Sequence, residues 1–81
     1  MSTSLKELTI DWKAVGRRVR TLRGFDTKQA DYAELLGVSQ SHMSAIEHGQ
    51  KEASATILLR IAKNHGKTLE WLLIGTGEKI K

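Results

Sequence analysis

Between Gln29 and Gly49 the sequence spells two helices, each too short to be stable alone in water, joined by a turn too tight for independent folding. Ala33 and Leu36 lie three apart on one face of the first, and Gly37 follows where a residue tolerant of positive φ must end it. Val38 is expected to dip into the core. Ser39 then offers a side-chain oxygen to the free N–H groups of a second helix, whose apolar stripe is Met43 and Ile46. The opposite face carries Gln40, Ser41, Ser44 and Ala45: short, uncharged and rich in hydrogen-bonding groups. Such a face suits contact with base edges better than the solvation that Lys and Glu normally provide. The rest of the chain reads as support for this pair.

Eighty-one residues make one small domain, which buries only about 60% of the surface its unfolded chain exposes, so a catalytic cleft is hard to build. There is no Cys, which excludes disulfides and thiolate metal ligands and leaves the helices to hold together by packing. No apolar run approaches a membrane span, and the start lacks a basic-then-apolar signal pattern. A soluble, cytoplasmic protein without membrane contact is therefore expected. The formal charge of +4 and the pI near 9.7 fit a polyanionic partner, because Lys and Arg beside phosphates release counterions. Charge of this size is common in small domains and gains weight only beside the helix pair.

Ser4, Leu5, Lys6 and Glu7 have capping-box spacing, but so short a segment is read as an N-terminal arm over residues 1–9. A first helix is predicted from about Asp11 to Arg23, with Asp11 favourable at its positive end and a stripe of Trp12, Val15, Val19 and Leu22. Gly16 falls near that stripe and permits close approach of a neighbouring helix, although it costs about 1 kcal/mol of helix propensity. Arg17, Arg18, Arg20 and Arg23 read largely as a solvated basic face. In the connection that follows, Asp26 or Thr27 is expected to cap the second helix, with Phe25 as a buried anchor. Lys28 and Gln29 then sit near that helix's N-terminus, where free N–H groups and the dipole favour a phosphate.

Gly49 stops the third helix within the turn His48-Gly49-Gln50-Lys51. Ser54 starts a fourth that packs Leu58, Ile61 and Ala62, and Thr68 starts a fifth that ends at Ile74, before Gly75 and Gly77. Leu69, Leu72 and Leu73 cannot all face one small core, and Trp71 and Ile74 add more apolar area. Exposed apolar surface at a domain's end points to a partner. One domain over residues 10–75 is expected, followed by a tail or truncated linker over 76–81.

Catalytic chemistry is missing. The acids Asp26, Asp31, Glu34 and Glu47 are scattered, and His42 and His48 flank Glu47 without a spacing that puts metal ligands on one face. The glycines punctuate helices singly and build no phosphate loop. The expectation is a protein that is no enzyme and needs no metal or cofactor.

The run Gln29, Ala33, Leu36-Gly37-Val38-Ser39-Gln40, Ile46-Glu47 and Gly49 resembles the helix-turn-helix of Cro/CI-type (XRE-like) transcriptional regulators. The resemblance continues through Ser54, Leu58-Leu59, Ile61-Ala62 and Gly66 to Leu69, and covers about Val15 to Ile74. The ending Trp71 to Gly77 resembles the phage-repressor branch. This implies an all-α, compact five-helix lambda-repressor-like DNA-binding domain that binds duplex DNA as a homodimer, its third helix in the major groove at an inverted-repeat operator. Gln40 is the best candidate for base readout, since its amide can bond adenine N6 and N7 together, and Ser41, Ser44 and Ala45 complete the reading face. Lys28, Gln29, Ser39, His42, Gln50 and Lys51 are candidate phosphate contacts, the last two because the turn after the third helix lies along the DNA backbone in this family.

The resemblance also implies a structural ion pair between Arg23 and Glu47 and a dimer contact through Trp71 and Ile74. The chain departs from the family's pattern at Thr27 and Lys28, where a Leu and a small polar cap usually stand, and in a connection one residue shorter. Tyr32 replaces an apolar core residue and needs a hydroxyl partner if buried. His65 also replaces a core apolar residue and reads as a partly exposed, hydrogen-bonded histidine. Leu35, at a usually polar position, is expected to be partly exposed. Two other readings stay open: an antitoxin that autoregulates its operon and binds a protein toxin, and a pure protein-interaction domain working through Trp71 and Ile74. A missing C-terminal domain of a longer repressor is a further possible partner.

Overall fold

The computed structural model describes residues 5–75. A short 3-10 turn, Leu5–Glu7, precedes five α-helices: α1 (Trp12–Arg23), α2 (Gln29–Leu36), α3 (Gln40–Glu47), α4 (Ala55–His65) and α5 (Leu69–Ile74). No strand occurs among the described residues. Ser4 and residues 76–81, on which the capping box and the tail were predicted, lie outside the described residues.

Helices α1, α3, α4 and α5 start where a polar side chain serves free N–H groups. The Asp11 carboxylate accepts from the N–H groups of Lys13 and Ala14 at 3.1 and 3.2 Å, so α1 begins at Trp12 with Asp11 as its cap. Ser39, Ser54 and Thr68 cap α3, α4 and α5 through their hydroxyls, as predicted. The start of α2 corrects the sequence reading: its cap is Lys28, with no side-chain hydrogen bond, and neither Asp26 nor Thr27 takes that role. Phe25 is likewise no buried anchor but fully exposed. The end of Arg23 holds this connection instead, its guanidinium donating to the Thr27 carbonyl at 2.9 Å. An ionic tether has replaced the apolar plug that a Phe in a short loop suggests.

Gly37 ends α2 at φ 80°, in the left-handed region, and its N–H and that of Val38 bond back to Glu34 and Ala33. This conformation turns the chain directly into Ser39 and fixes the angle between α2 and α3. Arg60 of α4 reinforces it by donating to the Leu36 carbonyl at 2.9 Å, a cation at a helix C-terminus.

The core is Val15, Val19, Tyr32, Ala33, Leu36, Met43, Ile46, Ala53, Ile57, Leu58, Ile61 and Leu72, with Ile10, Trp12, Leu22, Val38, Trp71 and Leu73 packed at its margin. Helix α1 lies against α3 and α5, α2 against α3 and α4, and α4 against α5. Gly16 is what lets α1 reach α3. A Cβ at that position would stand 2.5 Å from the carbonyl oxygens of both Ile46 and Glu47, well inside van der Waals contact, so only Gly fits. The expected surplus of apolar groups on α5 resolves with Leu72 fully buried, Trp71, Leu73 and Ile74 partly buried, and Leu69 exposed.

Two core substitutions for apolar residues satisfy each other. The buried Tyr32 hydroxyl and His65 Nε2 hydrogen-bond at 2.8 Å, with the rings 5.8 Å apart. Burial pushes the Tyr32 phenol up to about 12, while burial and then the nearby Lys67 charge hold His65 below its ordinary value. Leu35 is exposed, in line with its expected place.

Candidate nucleic-acid interface

The candidate residues come from the start of α2, the outer side of α3 and the turn that leads to α4. Met43, Ile46 and Glu47 turn inward from α3, so Gln40 and Ser41 are left exposed and Ser44 and Ala45 half-buried on the opposite side. This is the short, uncharged face predicted for base contact, here presented by a helix whose inner side is fixed by the core. Ser39 spends its oxygen as cap acceptor from the His42 N–H at 3.0 Å and keeps its O–H for another partner. His42 is half-buried beside it.

Behind α3 stands the Arg23–Glu47 pair. Arg23 Nε donates to Glu47 Oε2 at 2.7 Å and Nη2 to Oε1 at 3.0 Å, a two-pronged contact that matches guanidinium to carboxylate. The two side chains are 14% and 3% exposed, so the Glu47 carboxylate is withdrawn from water and depends on its protein partners. The hydrogen bond to Glu47 raises Arg23 above its ordinary value.

Gln29 extends this network to the reading face. Its amide nitrogen donates to Glu47 Oε1 at 3.0 Å, and its amide oxygen lies 3.4 Å from Gln40 Nε2. A weak bond thus links the first residue of α2 to the leading residue of α3, and a strong one ties it to the buried pair. Sequence reasoning placed Gln29 only at a phosphate; the second role leaves no signal in spacing, because the partners are 11 and 18 residues away.

Lys28 is exposed at the start of α2, and Gln50 and Lys51 are exposed after α3. Gly49 closes the turn at φ 73°, with the Gln50 N–H bonded to the Ala45 carbonyl at 2.9 Å. His48 caps the end of α3 through Nδ1, which donates to the Ser44 carbonyl at 2.8 Å. Trp71 and Ile74 lie elsewhere, on α5, where the Lys67 ammonium sits 4.9 Å over the Trp71 ring. The predicted base and phosphate residues therefore lie on or beside α2 and α3, and the predicted dimer residues on α5. Among the described residues no group of His, Asp or Glu could hold a metal ion, and no helix is long and apolar enough to cross a membrane.

Comparison with known proteins gives the same architecture. Residues 17–72 match the sequence model of the helix-turn-helix family. The P22 c2 repressor protein, solved in complex with a synthetic operator, superposes with a TM-score of 0.69 at 28% identity, over 76% of this chain and 96% of that one. The restriction-modification controller protein C.AhdI from Aeromonas hydrophila gives 0.67 at 28%, over 78% and 97%. The clp gene regulator ClgR from C. glutamicum gives 0.67 at 26%, over 84% and 90%. No curated protein matches in sequence.

Proposed function

We propose that this chain, which belongs to the XRE-type helix-turn-helix family of DNA-binding regulators, is a repressor that occupies an inverted-repeat operator as a homodimer. The observation that carries the reading is the state of α3: its inner side is locked by core packing and a buried ion pair, while its outer side presents Gln40, Ser41, Ser44 and Ala45 without a charge among them. A rigid helix with an uncharged hydrogen-bonding face reads base edges, and charged residues on either side of it reach the backbone.

Gln40 takes adenine N6 and N7 with its amide, Ser41 a neighbouring base edge, and Ala45 a thymine methyl, with Ser44 at the margin. Lys28, Gln29, Ser39, His42, Gln50 and Lys51 touch phosphates. Trp71 and Ile74, both partly exposed on α5, meet their counterparts across a two-fold axis. The P22 c2 repressor, described with its operator, supports an operator-binding role for a chain of this fold.

In vitro selection of random duplex DNA by the 81-residue chain at one stated salt concentration tests this reading. An inverted repeat with half-sites about one turn, roughly 34 Å, apart is the expected product. Unenriched DNA, or a single unrepeated half-site, overturns specific readout or the dimer respectively.

A further inference from the structure

Most arginines of the described residues are committed to the fold. Arg23 holds Glu47 and Thr27, Arg18 donates to the Leu72 carbonyl at 3.0 Å at the end of α5, and Arg60 holds the Leu36 carbonyl. The guanidinium of Arg20, exposed on α1 one turn before Arg23, makes no hydrogen bond or ion pair among the described residues. With Arg23, Gln29, Glu47 and His48 it lines a cleft of about 240 Å³ between α1, the start of α2 and the end of α3.

The chemistry of this cleft selects its occupant. Its only acid, Glu47, already accepts from Arg23 and Gln29, so its oxygens are taken. Two guanidinium groups against one carboxylate leave a net positive charge, and Arg20 is the uncommitted one. His48 forms the facing wall, its ring fixed by the Nδ1 bond to Ser44. A cation is repelled here and an apolar group gains little, whereas an anion bearing oxygen acceptors is matched.

Position narrows the anion further. The cleft lies between the start of α2, next to Lys28, and the end of α3, next to Gln50 and Lys51. Those are the two segments that flank the reading helix. The close α1–α3 approach permitted by Gly16, one turn before Arg20, is what brings the α1 cation to this border.

We infer that the cleft holds one phosphate of the DNA backbone, with Arg20 as its charged ligand and His48 as its opposite wall. The assignment rests on the DNA-binding reading above. It makes α1 a part of the interface and joins the contacts of α2 to those beyond α3 in one row.

The test is a salt titration of binding by the full chain, using the selected operator and an unrelated duplex of equal length. The variants are Arg20→Gln, Arg20→Lys and Arg17→Gln. Arg17 is also exposed but lines a different groove with Ala14, Arg18, Thr21 and Trp71, and its substitution changes the net charge equally. Arg20→Gln is expected to weaken both duplexes by the same factor, roughly eightfold near 0.1 M salt, and to lower the slope of log affinity against log salt by about 0.9. Arg20→Lys keeps the slope, as does Arg17→Gln. A loss in Arg20→Gln no larger than in Arg17→Gln, with the slope intact, overturns the assignment alone. A wild-type chain that binds neither duplex overturns the DNA-binding reading and this assignment with it.

Discussion

Replacing Arg23 by Met removes the cation from a carboxylate that is only 3% exposed, and the structure sets how much this costs. Breaking one side of a buried pair costs about 3–5 kcal/mol, because the remaining charge stays desolvated without its partner. Here Gln29 continues to donate to Glu47 at 3.0 Å, and the 14% exposure of Arg23 shows that water can approach from its side. Both features place the cost near the lower bound, about 3 kcal/mol. A chain of this length has a total stability of about 4–12 kcal/mol, so the loss is a large fraction of it. At roughly 4–8 °C per kcal/mol, the melting temperature should fall by about 12–24 °C.

Urea unfolding at pH 7, followed by helix content and by fluorescence of the two Trp, measures this directly. The midpoint should drop with little change in the slope of the transition. The double variant Arg23→Met/Glu47→Leu should recover most of the loss, since an apolar pair of similar volume does not carry the desolvation cost. A cost below about 1 kcal/mol for Arg23→Met, the range of an exposed pair, refutes the reasoning. So does a double variant as unstable as the sum of the two singles.

Gly16→Ala gains about 1 kcal/mol of helix propensity, but its Cβ would stand 2.5 Å from two backbone carbonyl oxygens that cannot swing aside. Overpacking of that kind should leave a net loss of about 1–3 kcal/mol, seen as a lower urea midpoint, and a stabilised variant contradicts the packing described. The burial of Tyr32 and His65 gives stability a pH dependence at both ends. His65 is held below its ordinary value when folded, so the unfolded chain binds the proton more readily. This contribution is complete above the unfolded value near 6.5 and is lost as pH falls toward the folded one. Tyr32, pushed up to about 12, contributes stability that is complete below the unfolded value near 10 and lost as pH rises between them. Urea midpoints across pH 5–8 should fall on the acid side in the wild type and less steeply in His65→Gln. Across pH 9–11 they should fall in the wild type and less in Tyr32→Phe. Parallel curves for wild type and variants contradict the assignment.

What could be read from the sequence was what is local in the chain. Caps at Ser39, Ser54 and Thr68, the Gly37 turn and the stripes of α1 and α4 depend on neighbours three or four residues away, and all are found in the structure. The one long-range pair anticipated, Arg23–Glu47, came from family resemblance and not from spacing. The connection between α1 and α2 was misread because two rules competed there. A Phe in a short loop normally seeks the core, and Asp or Thr normally caps; here Arg23 reaches the Thr27 carbonyl and fixes the loop, so Phe25 is left outside and Lys28 opens α2 unaided. Tyr32 was known to need a partner, but only the packing of α2 on α4 shows that it is His65. Arg20 was passed over among arginines that read largely as a solvated face, from which family resemblance singled out Arg23 alone. Nothing within that face separates the residues that the fold uses from the one it leaves in the cleft.

The claim on which the account stands is that Gln40 reads a base from the outer face of α3. A cycle of four affinities tests it most directly: wild type and Gln40→Ala, each against the selected operator and against that operator changed symmetrically at the position facing Gln40. The account predicts that Gln40→Ala costs about 1–3 kcal/mol on the operator and almost nothing on the changed site. An equal cost on both sequences would mean that Gln40 only supports the helix or touches the backbone, and would contradict base readout by this residue.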